Sequence, residues 1–61
     1  MNHEEAIKKA QELVFVYFTM PDIINNCKLL GIPTIRKNGR LRDRAELEQE
    51  LINAIAKDFE K

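Results

Sequence analysis

The stretch that decides the fold is residues 19–47, TMPDIINNCKLLGIPTIRKNGRLRDRAEL. Thr19 and Asp22 have the three-residue spacing of a capping box, which marks the start of a helix. Gly31–Pro33 supplies a glycine where a helix ends and a proline that prevents its continuation. This pattern predicts a helix over about residues 20–30, followed by a change of direction.

A second capping box, Asp43 with Glu46, predicts where the next helix begins. The apolar residues after it recur at helical spacing and form one face, namely Leu47, Leu51 and Ile55. We expect this helix to run over about residues 44–58, with its acidic side chains mostly on the opposite side.

Upstream of residue 19, a third helix is predicted over about residues 3–18. Asn2 and Glu5 form its capping box, and its apolar face consists of Ala6, Ala10, Leu13, Val14 and Tyr17. Its end, residues 13–18, is apolar all round, so we expect the other helices or a partner chain to enclose it. The fold class is therefore all-α, with an N-terminal helix (1–18) added to a helix–extended-loop–helix core (19–59).

The chain of 61 residues is one small domain (1–61) with a thin core. Such a core has little room for a buried catalytic site, and no triad or phosphate-loop motif is present. Cys27 is the single cysteine and His3 the single histidine, so no disulfide framework or zinc cluster forms within one chain. Glu48 and Glu50 are two residues apart on a helix and face different sides. We therefore expect no enzyme, no metal, no cofactor and no small-molecule substrate.

The location of the protein is predicted from the same composition. The longest apolar stretch, Leu13 to Phe18, has six residues, far fewer than a membrane span or a signal-peptide core needs. A lone thiol suits a reducing compartment. We expect no membrane association and a cytoplasmic location; the alternatives are a nucleoid-associated location or, in a eukaryote, a nuclear one.

Charge is unevenly distributed although the formal net charge is zero. Residues 28–44 carry six basic side chains and one acid, a net charge of +5, whereas residues 1–27 carry −2 and residues 45–61 carry −3. A local positive patch attracts anions even on a neutral molecule. The middle of the chain is therefore the first place to look for a binding site.

Five cations cluster within this middle segment: Arg36, Lys37, Arg40, Arg42 and Arg44. Arginine binds phosphate oxygens in bidentate fashion, and Asn38-Gly39 predicts a tight turn because both residues accept positive φ at low cost. Ile35 and Leu41 are expected to tuck inward and anchor the loop. Five phosphate contacts predict a slope of about −4 to −5 for log K against log salt.

The alternative for this loop is a solvated segment without a ligand. Its charges then serve solubility and pair with the acidic face of the last helix, as exposed charges commonly do. The scarcity of acids inside the loop favours a binding role, and the alternative stays open from sequence.

The segment after residue 19 also resembles the SAP domain. Thr19 stands at the family's helix cap, Ile23 and Cys27 at its apolar positions, Lys28 at its lysine, and Gly31-Ile32-Pro33 at its turn. Arg44-Ala45-Glu46-Leu47 then resembles the Lys-Ala-Glu-Leu that opens the family's second helix, with Leu51 as a later core leucine.

This resemblance covers residues 19–55 and implies the helix–extended-loop–helix grouping of SAP, LEM and Rho N-terminal-like domains. Many members bind DNA or RNA, and LEM-type members bind proteins. By analogy Lys28, the loop arginines and Arg44 would face a nucleic acid. Two departures weaken the DNA reading: the loop is longer than usual, and Glu50 stands where the family has a basic residue.

A protein-interaction module is the rival prediction, from a different functional class. The end of the first helix has more apolar side chains than a small core needs, and a remainder left exposed would mark a dimer seam or a docking site. The candidate interface residues are Phe15, Tyr17 and Phe18. These aromatic side chains could also stack on nucleic-acid bases, but packing in the core or in a protein interface is the favoured prediction. In this reading the protein is a small regulator or inhibitor, and the basic loop faces an acidic protein surface.

Overall fold

In the computed structural model, which describes residues 2–61, the chain forms three helices, as the sequence predicts. Helix α1 spans His3–Glu12 and continues as a π-helical turn, Leu13–Tyr17. Helix α2 spans Met20–Leu29 and helix α3 spans Arg44–Glu60. The all-α class is confirmed, and α3 is two residues longer than predicted.

The caps of α1 and α2 follow the prediction. The Asn2 side chain accepts a hydrogen bond from the Glu5 amide at 2.8 Å. Asp22 accepts from both the amide (3.0 Å) and the hydroxyl (2.9 Å) of Thr19, and these bonds lower the pKa of Asp22 below its ordinary value. Each bond satisfies or orients a group that the first turn of a helix leaves without a helical partner.

The end of α2 is a Schellman motif, because Gly31 adopts the left-handed conformation with φ +74°. The Ile32 amide donates to the Cys27 carbonyl oxygen at 2.8 Å, and the Gly31 amide donates to Lys28 at 3.2 Å. The chain thereby leaves α2 at a fixed angle, which sets the start of the loop.

The core lies where α1 and α2 pack against α3. Its buried side chains are Ala6, Ala10, Val14, Ile23, Cys27, Leu47, Leu51, Ile52 and Ala56. Small alanines on α1 and α3 let these helices approach closely. His3 at the start of α1 contacts Glu60 at the end of α3, so the two helices run antiparallel.

At the apolar end of the first helix, the other helices provide only part of the predicted enclosure, and enclosure by a partner chain stays a prediction. Val14 is buried and Phe18 packs against the core, but the other helices do not enclose the segment between them. Phe15, Val16 and Tyr17 are 54%, 68% and 67% exposed. The segment is a π-helical turn, which is wider than a turn of α-helix.

Candidate nucleic-acid interface

The loop between α2 and α3 is a small hairpin, residues 34–42, closed by backbone hydrogen bonds. Arg36 donates its amide to the Arg40 carbonyl oxygen at 2.7 Å, and Arg42 donates to Thr34 at 2.8 Å. Ile35 and Leu41 face each other in the antiparallel bridge between these bonds. The residues on either side of the Asn38-Gly39 turn therefore pair briefly with one another.

The hairpin tip is built by Asn38 and Gly39, as the turn signal predicts. The Gly39 amide donates to the Arg36 carbonyl oxygen at 2.9 Å, and the Asn38 side chain accepts from the Arg40 amide at 3.0 Å. Only Gly39 takes a positive φ, +85°; Asn38 does not. The loop is thus a turn followed by a left-handed glycine, a common three-residue hairpin connection.

The anchor of the hairpin differs from the one predicted. Ile35 and Leu41 are exposed instead of tucked inward, because side chains in a bridged pair point to the same face of the hairpin, here the solvent face. The residues next to them hold the hairpin instead. Thr34 is buried, and the Arg42 side chain is only 18% exposed.

Arg42 joins the hairpin to α3 through three acceptors. Its guanidinium donates to the Pro33 carbonyl oxygen at 2.9 Å, to Glu50 at 2.6 Å and to Glu46 at 3.3 Å. The hydrogen bond to Glu50, followed by the one to Glu46, raises the pKa of Arg42. This side chain is held on several sides and faces the protein.

Arg36 and Arg44 are also paired, but at exposed positions. Arg36 contacts Glu46 and lies 3.3 Å from Asp43, while Arg44 lies 3.3 Å from Glu48. Their side chains are 40% and 49% exposed. Glu46 therefore serves two arginines and does not complete the predicted capping box with Asp43, whose side chain makes no cap hydrogen bond.

Lys37 and Arg40 flank Asn38-Gly39 at the hairpin tip, and both are exposed. Within residues 2–61 neither makes an ion pair, in contrast to the three arginines described above. We call these two residues the tip cations. Lys28 is exposed as well, but it lies on α2, a different element.

The five predicted contacts are thus brought onto one hairpin and the adjoining helix start, but they are not equivalent. The pairing of three of them with carboxylates of α3 is what the solvated-loop alternative predicts, whereas the leading prediction left all five free to meet a ligand. A signal was available, because Arg42–Glu46 and Arg44–Glu48 have the i,i+4 spacing at which opposite charges meet on a helix. Sequence reasoning missed Val16 as an exposed apolar residue next to Phe15 and Tyr17.

The other sequence-predicted residues of chemical interest lie apart from the hairpin. Cys27 is fully buried, and this burial, followed by the nearby charge of Glu50, raises the pKa of its thiol. No group of three or more His, Cys, Asp or Glu within residues 2–61 is arranged to hold a metal ion. No helix in the described part of the chain is both long and apolar enough for a membrane crossing.

Comparison with known proteins adds no relative: no family model, curated protein or solved structure matches this chain. The resemblance to SAP domains therefore stays a prediction that rests on the residues quoted above.

The pairing of Glu46 predicts a specific acid sensitivity. Its hydrogen bond from Arg36, followed by the one from Arg42, lowers the pKa of Glu46 from the ordinary 4.5. A lowered folded-state pKa contributes stability that is fully present above pH 4.5 and is lost as pH falls through the folded value. The urea midpoint of the wild type should therefore fall between about pH 5 and about pH 3.

Glu46→Gln should show a smaller fall over the same pH range, because it has no carboxylate to protonate at this position. Glu4→Gln, which alters an exposed carboxyl on α1 that makes no ion pair within residues 2–61, is the matched control and should fall as the wild type does. Equal falls in all three proteins would contradict the pairing.

Proposed function

We propose that this protein binds nucleic acid through backbone phosphates and that the tip cations, Lys37 and Arg40, make the contacts. The supporting observation is the contrast between these two exposed, unpaired side chains and the three paired arginines behind them. The hairpin bonds hold both tip cations on one short turn, which reduces the entropy lost when they bind.

Arg42 is a positioning residue in this proposal and does not contact phosphate. Its three acceptors on Pro33, Glu46 and Glu50 hold the hairpin on α3. Its low exposure leaves little guanidinium surface for a ligand. Removing it would disturb the hairpin and would not isolate a phosphate contact, so a test of binding must leave Arg42 in place.

The charge available to a ligand is smaller than the +5 of residues 28–44 indicates. Glu46, Glu48 and Glu50, which lie outside that segment, offset the arginines with which they pair. Two phosphate contacts correspond to a salt slope of about −2 on duplex DNA. Binding should therefore be weak, independent of base sequence and strongest at low salt.

The test is fluorescence anisotropy with a labelled mixed-sequence duplex and a labelled single strand, between about 50 and 200 mM salt. The wild type should bind with a slope of about −2 on the duplex, and Lys37→Ala with Arg40→Ala should abolish that binding. Lys8→Ala with Lys57→Ala removes the same charge from exposed positions on α1 and α3 and should bind as the wild type does.

Three results would overturn the proposal. They are the absence of binding at the lowest salt, binding that does not respond to salt, and equal losses in the two double variants. The last of these would mean that total charge governs the interaction and that the hairpin tip does not.

A second candidate function, self-association, is favoured by one observation. Phe15, Val16 and Tyr17, which we call the apolar patch, are consecutive in sequence and more than half exposed, and large apolar side chains exposed near one another mark an interaction surface more often than scattered ones do. Beside them lies a hollow of about 200 Å³ lined by Lys9, Glu12, Leu13, Tyr17 and Phe59.

The occupant that fits this patch is a second copy of the chain. The formal net charge of zero causes no overall repulsion between copies. A twofold contact needs only one self-complementary patch, and the hollow carries both a cation, Lys9, and an anion, Glu12, that could exchange partners across the axis.

Val16→Glu should abolish this association, because a charge would be buried at the centre of the contact. In sedimentation equilibrium the wild-type mass should rise above the monomer mass of 7.1 kDa as concentration increases, and the variant should remain at the monomer mass. Leu29→Glu changes an exposed leucine on α2 and should associate like the wild type. A wild-type mass that stays monomeric would exclude the second candidate.

A further inference from the structure

The three paired arginines of the hairpin and α3 fall into two classes. Arg42 has three acceptors and is mostly covered. Arg36 and Arg44 are 40% and 49% exposed; the Glu46 partner of Arg36 is 38% exposed, whereas the Glu48 partner of Arg44 is only 16% exposed. A guanidinium at the surface keeps donors that a ligand can reach, since each has five N–H groups in a planar fork.

The guanidinium groups of Arg36 and Arg44 are partly exposed, so a phosphate can compete with the carboxylates that they contact. Exposed ion pairs are weak, because water and salt screen them and because both side chains lose freedom. The Arg44–Glu48 distance of 3.3 Å and the 3.4 Å contact from Arg44 to the Phe18 carbonyl oxygen are both long for charge-assisted hydrogen bonds. A phosphate offers the same guanidinium a bidentate acceptor.

Arg36 stands beside the tip cations, and Arg44 follows the base of the hairpin. Arg36 closes the hairpin by bonding with Arg40 through the backbone, and Arg44 is the first residue of α3. An anion held by Lys37 and Arg40 would therefore bring further phosphates toward Arg36 and, beyond it, toward the start of α3.

From these contacts we infer that Glu46 and Glu48 are intramolecular competitors of the ligand: they occupy Arg36 and Arg44 in the free protein and hold the nucleic-acid affinity down. This inference rests on the proposed function and concerns the regulation of the same site. Wild-type binding then uses two cations. Neutralising Glu48 removes the acidic partner of Arg44, and neutralising Glu46 leaves Arg36 with the exposed Asp43 alone, so each change makes one more arginine available to phosphate.

If Glu46 and Glu48 compete with the ligand, variants that lack either carboxylate should bind the duplex more tightly than the wild type does. Losing the competition of one exposed pair corresponds to roughly two- to fivefold in affinity. Each released arginine adds a phosphate contact, so the duplex salt slope should steepen by about 0.9. Glu46→Gln and Glu48→Gln should each approach a slope of about −3, and the double variant about −4.

The matched control is Glu4→Gln, which changes the net charge by the same amount. Glu4 lies in the first turn of α1, beside His3, which contacts the far end of α3 at Glu60. The 17 residues of α3 separate that end from the hairpin by roughly 25 Å, more than a Debye length at physiological salt. Its affinity and slope should equal those of the wild type.

Glu48→Gln distinguishes release of an arginine from disturbance of the hairpin, which Glu46→Gln could also cause. Glu46 pairs with Arg42 as well as Arg36, so its replacement affects the anchor of the hairpin, although Arg42 keeps Glu50 and the Pro33 carbonyl oxygen. Glu48 pairs with Arg44 alone among these arginines. Circular dichroism at 222 nm should show all four variants folded under the binding conditions.

The experiment is the same anisotropy titration with the same labelled duplex, run on the wild type and on these variants. Tighter binding with a steeper slope in the Glu46 and Glu48 variants, and not in Glu4→Gln, is the expected result. If the wild type binds and all variants bind equally, or if Glu4→Gln gains as much, the competition is refuted while the proposed function stands. If no protein binds at the lowest salt, both fall together.

Discussion

The contact on which the hairpin and its proposed binding surface depend is the one between Arg42 and α3. A hairpin of nine residues with a single bridge is not stable by itself in water. Arg42 ties this hairpin to Glu46 and Glu50 on the helix and to the Pro33 carbonyl oxygen on the incoming chain. The burial of Thr34 adds a second attachment at the same place. With its base held in this way, the turn leaves Lys37 and Arg40 exposed and, within residues 2–61, outside the ion pairs that the other three arginines make.

Local rules predicted the helices and turns because each depends on near neighbours in sequence. Each cap and turn is determined by residues only a few positions apart, namely Thr19 with Asp22, Gly31 with Pro33, and Asn38 with Gly39. The π-helical turn at Leu13–Tyr17 was not predictable in this way. Its apolar residues satisfy helical periodicity equally well in an α-helix, and the choice between the two depends on how α1 packs on α3.

The state of each arginine could be predicted only in part. The i,i+4 spacing of Arg42–Glu46 and Arg44–Glu48 was visible, but the pairing of Arg36 with Glu46 across ten positions required the hairpin to bring them together. One cause explains both the burial of Arg42 and the exposure of Ile35 and Leu41: these residues lie on opposite faces of the hairpin. Residues alternate between the faces of a hairpin, and the sequence does not say which face meets α3. A basic segment is therefore a poor measure of available positive charge when acids lie one helical turn away.

The anchoring of the hairpin by Arg42 can be tested most directly by measuring amide hydrogen exchange in the hairpin. The core amide of Leu51 serves as the reference for global unfolding. Wild type and Arg40→Ala should both protect the amides at positions 36 and 42, which donate across the hairpin. Arg42→Ala should lose that protection while the Leu51 amide stays protected, because α3 and its core remain folded. Undiminished protection at positions 36 and 42 in Arg42→Ala would contradict the role of Arg42 as the anchor of the binding loop.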